Sequence, residues 1–158
     1  MTRIISGRLK GLAIAVPPAG TRPTTDRVRE ALFSAIVSRV DLDGAAVLDL
    51  FAGSGALGLE ALSRGADTAW FVEENPRAAA CLKKNLAGAS SLSSSPLATT
   101  LRRAALPAAV GGPCPVPGGF RLVLADPPYD RSAALDEPTL TALRDGGWLA
   151  PDALVVWE

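Results

Sequence analysis

Residues 47–62 read VLDLFAGSGALGLEAL, and this stretch sets the architecture that the rest of the chain follows. It joins an apolar run, typical of a buried strand, to a helix-forming run through Gly53, Gly55 and Gly58 in the spacing GxGxxG. Glycines let the backbone turn tightly and approach a ligand, and the N-terminus of the following helix offers unpaired N–H groups. The stretch therefore predicts a strand–loop–helix unit that binds a nucleotide-like cofactor.

The chain that follows this unit alternates between strand and helix patterns. The predicted strands cover residues 45–50, 68–73, 99–103, 121–125 and 153–158, and the predicted helices cover 56–64, 76–86 and 135–144. Two stretches rich in Gly, Pro and Ser, 88–98 and 111–119, are predicted to be flexible loops. Such alternation implies right-handed crossovers and a mainly parallel sheet, so we expect an α/β, Rossmann-like fold with flanking helices.

The first 40 residues differ from this pattern. Residues 3–16 predict a short β-hairpin, and Thr25 or Asp26 can cap a helix to about Val40, with Val28, Leu32, Phe33 and Ile36 on one face. Residues 1–40 carry seven Lys/Arg against two acidic residues, a net +5, whereas residues 41–158 carry nine against fourteen, a net −5. We therefore divide the chain into a basic N-terminal extension (1–40) and a Rossmann-like domain (41–158). The basic charge suits a polyanion partner, with a merely solvated face as an equal alternative.

Composition narrows the possible classes of protein and of site. A chain of 158 residues suits one core, and the sequence holds neither an apolar run of membrane-spanning length nor a signal-peptide core, so we expect a cytoplasmic protein. Histidine is absent, which excludes His triads, His general bases and His metal ligands. The two cysteines, Cys81 and Cys114, do not have zinc-site spacing, so no metal is expected.

Two carboxylates indicate which cofactor the glycine loop would bind. Glu73 ends the second strand of the α/β pattern, eighteen residues past Gly55, where its side chain can hold two ribose hydroxyls. Asp49 lies four residues before Gly53, where it would repel a pyrophosphate but attract a cation. S-adenosylmethionine carries a sulfonium and an ammonium and has no phosphate. Asp49 therefore favours this cofactor over a nicotinamide dinucleotide.

A second motif, LADPPYD at residues 124–130, ends the fourth strand of the pattern. Pro127 and Pro128 stop a strand because proline donates no ladder hydrogen bond, so the motif alone could be a strand terminator. In an open α/β sheet, however, the motif would face the glycine loop across the crevice where strand order reverses. There Asp126 and the Pro127 carbonyl could accept the N–H groups of an exocyclic amine, while Tyr129 stacks on its base.

These motifs, together with RIISGRLKG (3–11), TRPTTDRVREALF (21–33) and FVEENPRA (71–78), resemble those of the bacterial 16S ribosomal RNA guanine-N2 methyltransferases over essentially the whole chain. The resemblance implies a class I S-adenosylmethionine-dependent methyltransferase fold that modifies the exocyclic N2 of guanine 966 in 16S ribosomal RNA. It also implies an assembling 30S subunit as the partner, and a monomer without metal or membrane association. Family members continue past Glu158 with a strand pair that closes the sheet, so we expect this chain to be truncated at its C-terminus.

The predicted site residues form three sets. The catalytic set is Asp126, Pro127, Pro128 and Tyr129. The cofactor-binding set is Asp49, Phe51, Ala52, Gly53, Ser54, Gly55, Gly58, Glu73, Glu74, Arg103 and Ala104, the last two through their backbone, because the turn LRRAAL holds no acidic residue for the adenine amine. The RNA-binding set is Arg3, Arg8, Lys10, Arg22, Arg27 and Arg29.

Three other functions remain open at this point. An adenine-N6 methyltransferase acting on DNA or RNA would use the same Asp-Pro-Pro-Tyr loop, since that loop suits either amine. A nicotinamide oxidoreductase is disfavoured by Asp49, and a non-catalytic RNA-binding module is disfavoured by the intact set from Asp126 to Tyr129.

Overall fold

A five-stranded parallel sheet forms the centre of the molecule in a computed structural model that describes residues 2–17, 25–128 and 132–158. A separate antiparallel pair at the N-terminus consists of β1 (Thr2–Arg3) and β2 (Ala13–Ile14). The central strands are β3 (Ala46–Leu50), β4 (Thr68–Val72), β5 (Ala98–Arg102), β6 (Phe120–Ala125) and β7 (Leu149–Trp157). Their order across the sheet is β5-β4-β3-β6-β7, and all four neighbouring pairs are parallel.

The strand order reverses between β3 and β6. From β3 the chain builds outward through β4 and β5, then returns to place β6 on the other side of β3. Leu50 pairs with both Val72 and Ala125, so β3, β4 and β6 end at one level. The loops after these strands therefore meet at the carboxyl edge of the sheet, which is where open α/β sheets bind ligands.

In the part of the chain that the structure describes, four helices flank the sheet: α1 (Asp26–Val37), α2 (Ala56–Ser63), α3 (Pro76–Leu92) and α4 (Ser132–Asp145), with a short 3-10 helix at Ala108–Val110. One buried apolar cluster joins a sheet face to α1, α2, α3 and the N-terminal segment, and it includes Ile4, Phe33, Leu59 and Phe71. A second cluster on the opposite face includes Leu48, Val123, Leu143 and Trp148. Among the described residues, no helix has the length and apolar character that crossing a membrane requires.

Helix α3 is longer than predicted and takes up part of a stretch predicted to be a loop. It begins at Pro76, capped by the Asn75 side chain, and continues to Leu92 instead of ending at residue 86. Ala89, inside the predicted loop of residues 88–98, is fully buried against the apolar core. Burial on one face keeps the segment helical although its composition is typical of a linker.

Helix α1 begins as predicted, but its buried face is different. The Thr25 hydroxyl accepts a hydrogen bond from the Val28 backbone N–H (3.2 Å), which caps the helix. Val28 itself is 49% exposed, and the fully buried side chains are Phe33, Ile36 and the charged Arg29. The predicted apolar face was therefore wrong at Val28. Arg29 is turned inward instead, because it pairs with the buried carboxylate of Glu60 on α2.

Candidate cofactor and substrate site

The loop after β3 forms one wall of the crevice at the carboxyl edge. Phe51 (φ 53°), Gly53 (φ 57°) and Gly55 (φ 82°) have positive φ, which turns the chain sharply from the strand into α2. The Ala52 N–H donates to the Val72 carbonyl (3.0 Å), which ties the loop to β4. Gly55 is the N-cap of α2 and has no side chain to satisfy the first N–H groups of that helix. Two of these donors are satisfied from neighbouring residues instead, since the Ala56 N–H donates to Ser54 Oγ (3.4 Å) and the Gly58 N–H donates to Asp49 Oδ2 (2.9 Å).

The three glycines serve different purposes. A Cβ atom added to Gly53 would meet no atom within 4 Å, so this glycine faces open space. Added to Gly55, it would lie 2.2 Å from Leu82 Cδ1, and added to Gly58, 2.4 Å from Phe71 Cε1. Gly53 thus leaves room for a ligand beside the backbone, whereas Gly55 and Gly58 let α2 pack closely on the sheet and on α3.

The Gly58→Ala variant should be destabilised, and Gly88→Ala, in the middle of α3, provides a matched control. The added methyl at residue 58 also lies 3.1 Å from Asp49 Oδ2, so we expect a loss of about 1–3 kcal/mol from overpacking. At residue 88 the nearest atom is Leu12 Cδ1 at 3.8 Å, and alanine should stabilise the helix by about 0.5–1 kcal/mol. Urea unfolding of both variants measures the difference. Equal stabilities would show that the close approach at Gly58 does not constrain the fold.

Carboxylates dominate the charge of the crevice. Asp49 is 1% exposed, and its Oδ2 accepts a hydrogen bond from the Gly58 N–H (2.9 Å). Burial raises the pKa of Asp49 well above its ordinary value, and the negative charges of Asp126 and Glu73 raise it further. Glu73 accepts hydrogen bonds from the Gly53 N–H (2.8 Å) and, through its other oxygen, from the Asn75 N–H (2.9 Å). The ends of β3, β4 and β6 therefore bring three acidic side chains within electrostatic range of one another.

Asp126 directly follows β6, across the switch point from the glycine loop. Its side chain is half-buried, Pro127 is buried and Pro128 is exposed. Burial, the negative charge of Glu158 and hydrogen bonding with the Glu158 side chain together raise the pKa of Asp126 to about 6. Tyr129, the fourth residue of the predicted catalytic set, lies outside the described residues.

The remaining predicted cofactor residues line the same edge or the strand beside it. The Phe51 ring packs edge-on against Trp157, with centroids 6.4 Å apart. The Ser54 carbonyl accepts a hydrogen bond from Asn85 (2.8 Å). After β5, Arg103 is exposed and Ala104 is half-buried, and after β4 Glu74 is exposed.

S-adenosylmethionine fits this donor set. Clustered carboxylates attract a cation and would repel the pyrophosphate of a dinucleotide. The open space beside Gly53, next to the Glu73 carboxylate that holds its N–H, can admit a ribose. Two cavities of about 550 and 600 Å³ lie elsewhere, and neither is lined by those predicted cofactor-binding and catalytic residues that the structure describes.

Most of the predicted RNA-binding side chains are at the surface. Arg3, Arg8, Lys10 and Arg27 are exposed, although Arg8 also donates to the carbonyls of Leu62 (3.1 Å) and Ala66 (3.2 Å). Arg22 lies outside the described residues.

The assignment of Arg29 to the RNA-binding set was wrong. Its side chain is 0% exposed and cannot reach an RNA phosphate in this conformation. It pairs with Glu60 (3.3 Å) and Asp26 (3.2 Å), and it also donates to the Arg3 carbonyl.

Glu60 is a buried carboxylate that the sequence interpretation missed. One oxygen accepts from the Ile5 N–H (3.0 Å) and from Arg29 Nε (3.3 Å), and the other accepts from the Ser6 N–H (3.2 Å) and from Arg64 Nε (2.9 Å). The available signal was a glutamate inside the apolar run GLEAL. This residue attaches the N-terminal segment and α1 to the helix that follows the glycine loop.

Asn85 is a second missed residue, and it connects the loop to the N-terminal segment. Its Nδ2 donates to the carbonyls of Ser54 and Ala15 (both 2.8 Å), and its Oδ1 accepts from the Ala15 N–H (2.9 Å). The amide therefore holds the glycine loop from the side of α3.

Comparison with known proteins shows similarity along almost the whole chain. The family model described as "Conserved hypothetical protein 95" matches residues 2–158. Ribosomal RNA small subunit methyltransferase D of Escherichia coli K12 is 42% identical over 161 residues, covering 99% of this chain and 73% of the relative. The solved structure of the Escherichia coli protein yhhF is 40% identical and superposes with a TM-score of 0.80, covering 98% of this chain and 78% of that one.

A more distant solved structure shares the fold alone. Precorrin-6y C5,15-methyltransferase from Geobacter metallireducens is 20% identical, with a TM-score of 0.68 over 91% of this chain and 66% of that one. Together with the similarity to the Escherichia coli yhhF structure, this superposition confirms the predicted class I methyltransferase fold.

Proposed function

This chain belongs to the family of ribosomal RNA small subunit methyltransferase D, and from that premise we propose that it transfers a methyl group from S-adenosylmethionine to the exocyclic N2 of a guanine in 16S ribosomal RNA. Its relatives and its fold identify it as a methyltransferase. The observation that carries the finer proposal is the position of Asp126. It follows β6 directly and faces the glycine loop after β3 across the switch point of the sheet.

Asp126 and Pro127 suit chemistry on an exocyclic amine. The lone pair of such an amine is delocalised into the base, which makes the nitrogen a poor nucleophile. The Asp126 carboxylate and the Pro127 carbonyl can each accept an N–H hydrogen bond and so favour a tetrahedral nitrogen whose lone pair points away from the ring. The fixed φ of proline holds the carbonyl in one direction. Tyr129 is proposed to stack on the base.

The residues proposed to hold the cofactor are those at the ends of β3, β4 and β5. Asp49 would bind the ammonium group of the cofactor and Glu73 would bind its ribose. The backbone from Phe51 to Gly55 would lie alongside the bound cofactor. The residues around its adenine would be Glu74, Arg103 and Ala104. When bound, S-adenosylmethionine supplies a methyl group carried on a sulfonium, and the sulfur becomes a neutral thioether once that methyl group has been transferred. The acidic side chains of the crevice compensate the positive charge until that step.

The substrate side is proposed to be the basic N-terminal extension. The exposed Arg3, Arg8, Lys10 and Arg27, together with Arg22, would contact phosphates and orient the RNA without reading its sequence. We propose guanine 966 within an assembling 30S subunit as the target and a monomer as the active form, as the resemblance of the sequence motifs implies.

The function can be tested by incubating the protein with methyl-labelled S-adenosylmethionine and 30S particles that lack the modification. We expect label in the RNA that digests to N2-methylguanosine. N6-methyladenosine as the product would overturn the base assignment, and an absence of labelled nucleoside would overturn the function. Calorimetric titration with S-adenosylhomocysteine and with NAD provides an independent control, because only the first should bind.

A further inference from the structure

The end of β7 places a second carboxylate beside the proposed catalytic one. Trp157 pairs with Ala125 in the register of β6 and β7, and the Glu158 N–H donates to the Ala125 carbonyl (3.0 Å). Glu158 and Asp126 are thereby the first residues after their paired strand ends. The Glu158 side chain therefore lies close enough to Asp126 to interact with it through charge and hydrogen bonding.

A hydrogen bond between two carboxyl groups requires a proton on one of them, because an ionised carboxylate can only accept. Two ionised carboxylates side by side would repel each other, so the charge of Glu158 favours the protonated form of Asp126. The interaction therefore favours the state in which Asp126 has gained a proton.

We propose that Glu158 is a positioning residue that acts through Asp126, orienting its carboxyl and stabilising it once it has accepted the proton released by the substrate amine. This inference deepens the proposed function and rests on it. Nothing in the amino-acid motif around Asp126 includes Glu158, which is brought there by the register of the last strand.

The step balances without any further reactant. The lone pair of the amine forms the new carbon–nitrogen bond, and the carbon–sulfur bond of the methyl donor would break with its electron pair left on sulfur. One N–H bond breaks, its electron pair stays on nitrogen, and the proton forms an O–H bond on Asp126. The substrate leaves as a neutral methylated amine. Glu158 then accepts a hydrogen bond from the protonated Asp126. Before the next turnover, Asp126 returns its proton to water. A base whose pKa lies near the operating pH is the most effective acceptor.

Among residues 2–17, 25–128 and 132–158, the titratable groups that interact with Asp126 or with its neighbour Asp49 are acidic. Asp49 on β3 interacts electrostatically with Asp126, and Glu73 after β4 interacts with Asp49. Within the described part of the chain, the pKa of Asp126 is set by its burial and by the Glu158 side chain, and no basic side chain is among the causes. Removing the charge of Glu158 should therefore lower the Asp126 pKa, with burial still holding it above 3.8.

The test compares Glu158→Gln with wild type and with Glu30→Gln, an exposed residue on α1. Carbon-13 NMR of the Asp126 carboxyl group, identified by its loss in Asp126→Asn, should show its pKa falling from about 6 toward 3.8 in Glu158→Gln and unchanged in Glu30→Gln. An unchanged Asp126 titration in Glu158→Gln would overturn the pairing. Because this NMR titration requires no methyl transfer, its result is distinguishable from a failure of the proposed function.

Kinetics then test the role of the pair. The acidic limb of the pH profile of kcat/KM should move to lower pH in Glu158→Gln by the shift seen in NMR, and Glu158→Asp should restore part of it. A profile that stays in place while the NMR titration shifts would show that Glu158 does not act on the proton-accepting step.

Discussion

Replacing Asp126 by asparagine is expected to lower kcat for methyl transfer by roughly 10²–10⁴-fold, the usual contribution of a general acid or base. Asparagine keeps an oxygen that can accept an N–H hydrogen bond, but it cannot take the proton. Binding of S-adenosylhomocysteine should change little, since Asp49, Glu73 and the glycine loop are intact. The measurement is a single-turnover assay with saturating RNA, paired with calorimetric titration.

Asp152→Asn provides the matched control, because Asp152 is exposed on β7 away from the strand end. It should retain wild-type activity. If Asp126→Asn turned over at the wild-type rate, Asp126 would be removed from the mechanism and the proposed chemistry would have to be abandoned.

The stability of Asp126→Asn separates a chemical defect from a folding defect. The Asp126 pKa is about 6 in the folded protein against an ordinary value of 3.8, so the native state binds more protons between these pH values. The stability that this group contributes is therefore present below pH 3.8 and lost as the pH rises through about 6. Removing the carboxylate should leave the Tm at neutral pH no lower than that of wild type, as scanning calorimetry can show.

Replacing Glu60 by alanine is expected to cost about 3–5 kcal/mol of stability. Glu60 and Arg29 are both 0% exposed, so the substitution leaves a buried guanidinium with less compensation. It also leaves the Ile5 and Ser6 N–H groups without the oxygens they donate to. Because these contacts join the N-terminal segment to α2, proteolysis should cleave that segment faster as well.

Glu30→Ala is the control, as Glu30 is exposed on the same helix as Arg29 and should change stability by less than about 0.5 kcal/mol. Glu60→Gln is a milder variant that keeps the volume but puts an amide where two donors converge, and its stability should lie between those of wild type and Glu60→Ala. Urea unfolding of the three variants measures the series. A Glu60→Ala protein as stable as Glu30→Ala would mean that the buried network contributes nothing net.

The parallel sheet and its glycine loop could be predicted because their signals are local. At their carboxyl ends, all five predicted central strands agree with the observed strands to within three residues. The reason is that apolar runs of strand length need burial whatever their neighbours are. The GxGxxG spacing implies a tight turn that favours glycine, and the structure gives Gly53 and Gly55 positive φ. The Asp-Pro-Pro motif likewise marks a strand end from its own chemistry.

Segments whose conformation depends on distant partners were predicted less well. Residues 88–92 have the composition of a linker, yet burial of Ala89 against the core keeps them in α3. Arg29 was assigned to the RNA-binding set as one of the basic residues of the N-terminal extension, but its side chain is buried. Its partner, Glu60, lies 31 residues away in the chain.

The amino-acid sequence alone therefore specified the α/β architecture, the carboxyl-edge loops and the residue types suited to a cationic cofactor and an exocyclic amine. Tertiary structure decided which charges are buried and which acidic side chains meet: Glu60 with Arg29, and Glu158 with Asp126. The physical reason is range. Periodicity and turn chemistry act over a few neighbouring residues, whereas these pairings depend on how α1 packs on α2 and on the register between β6 and β7.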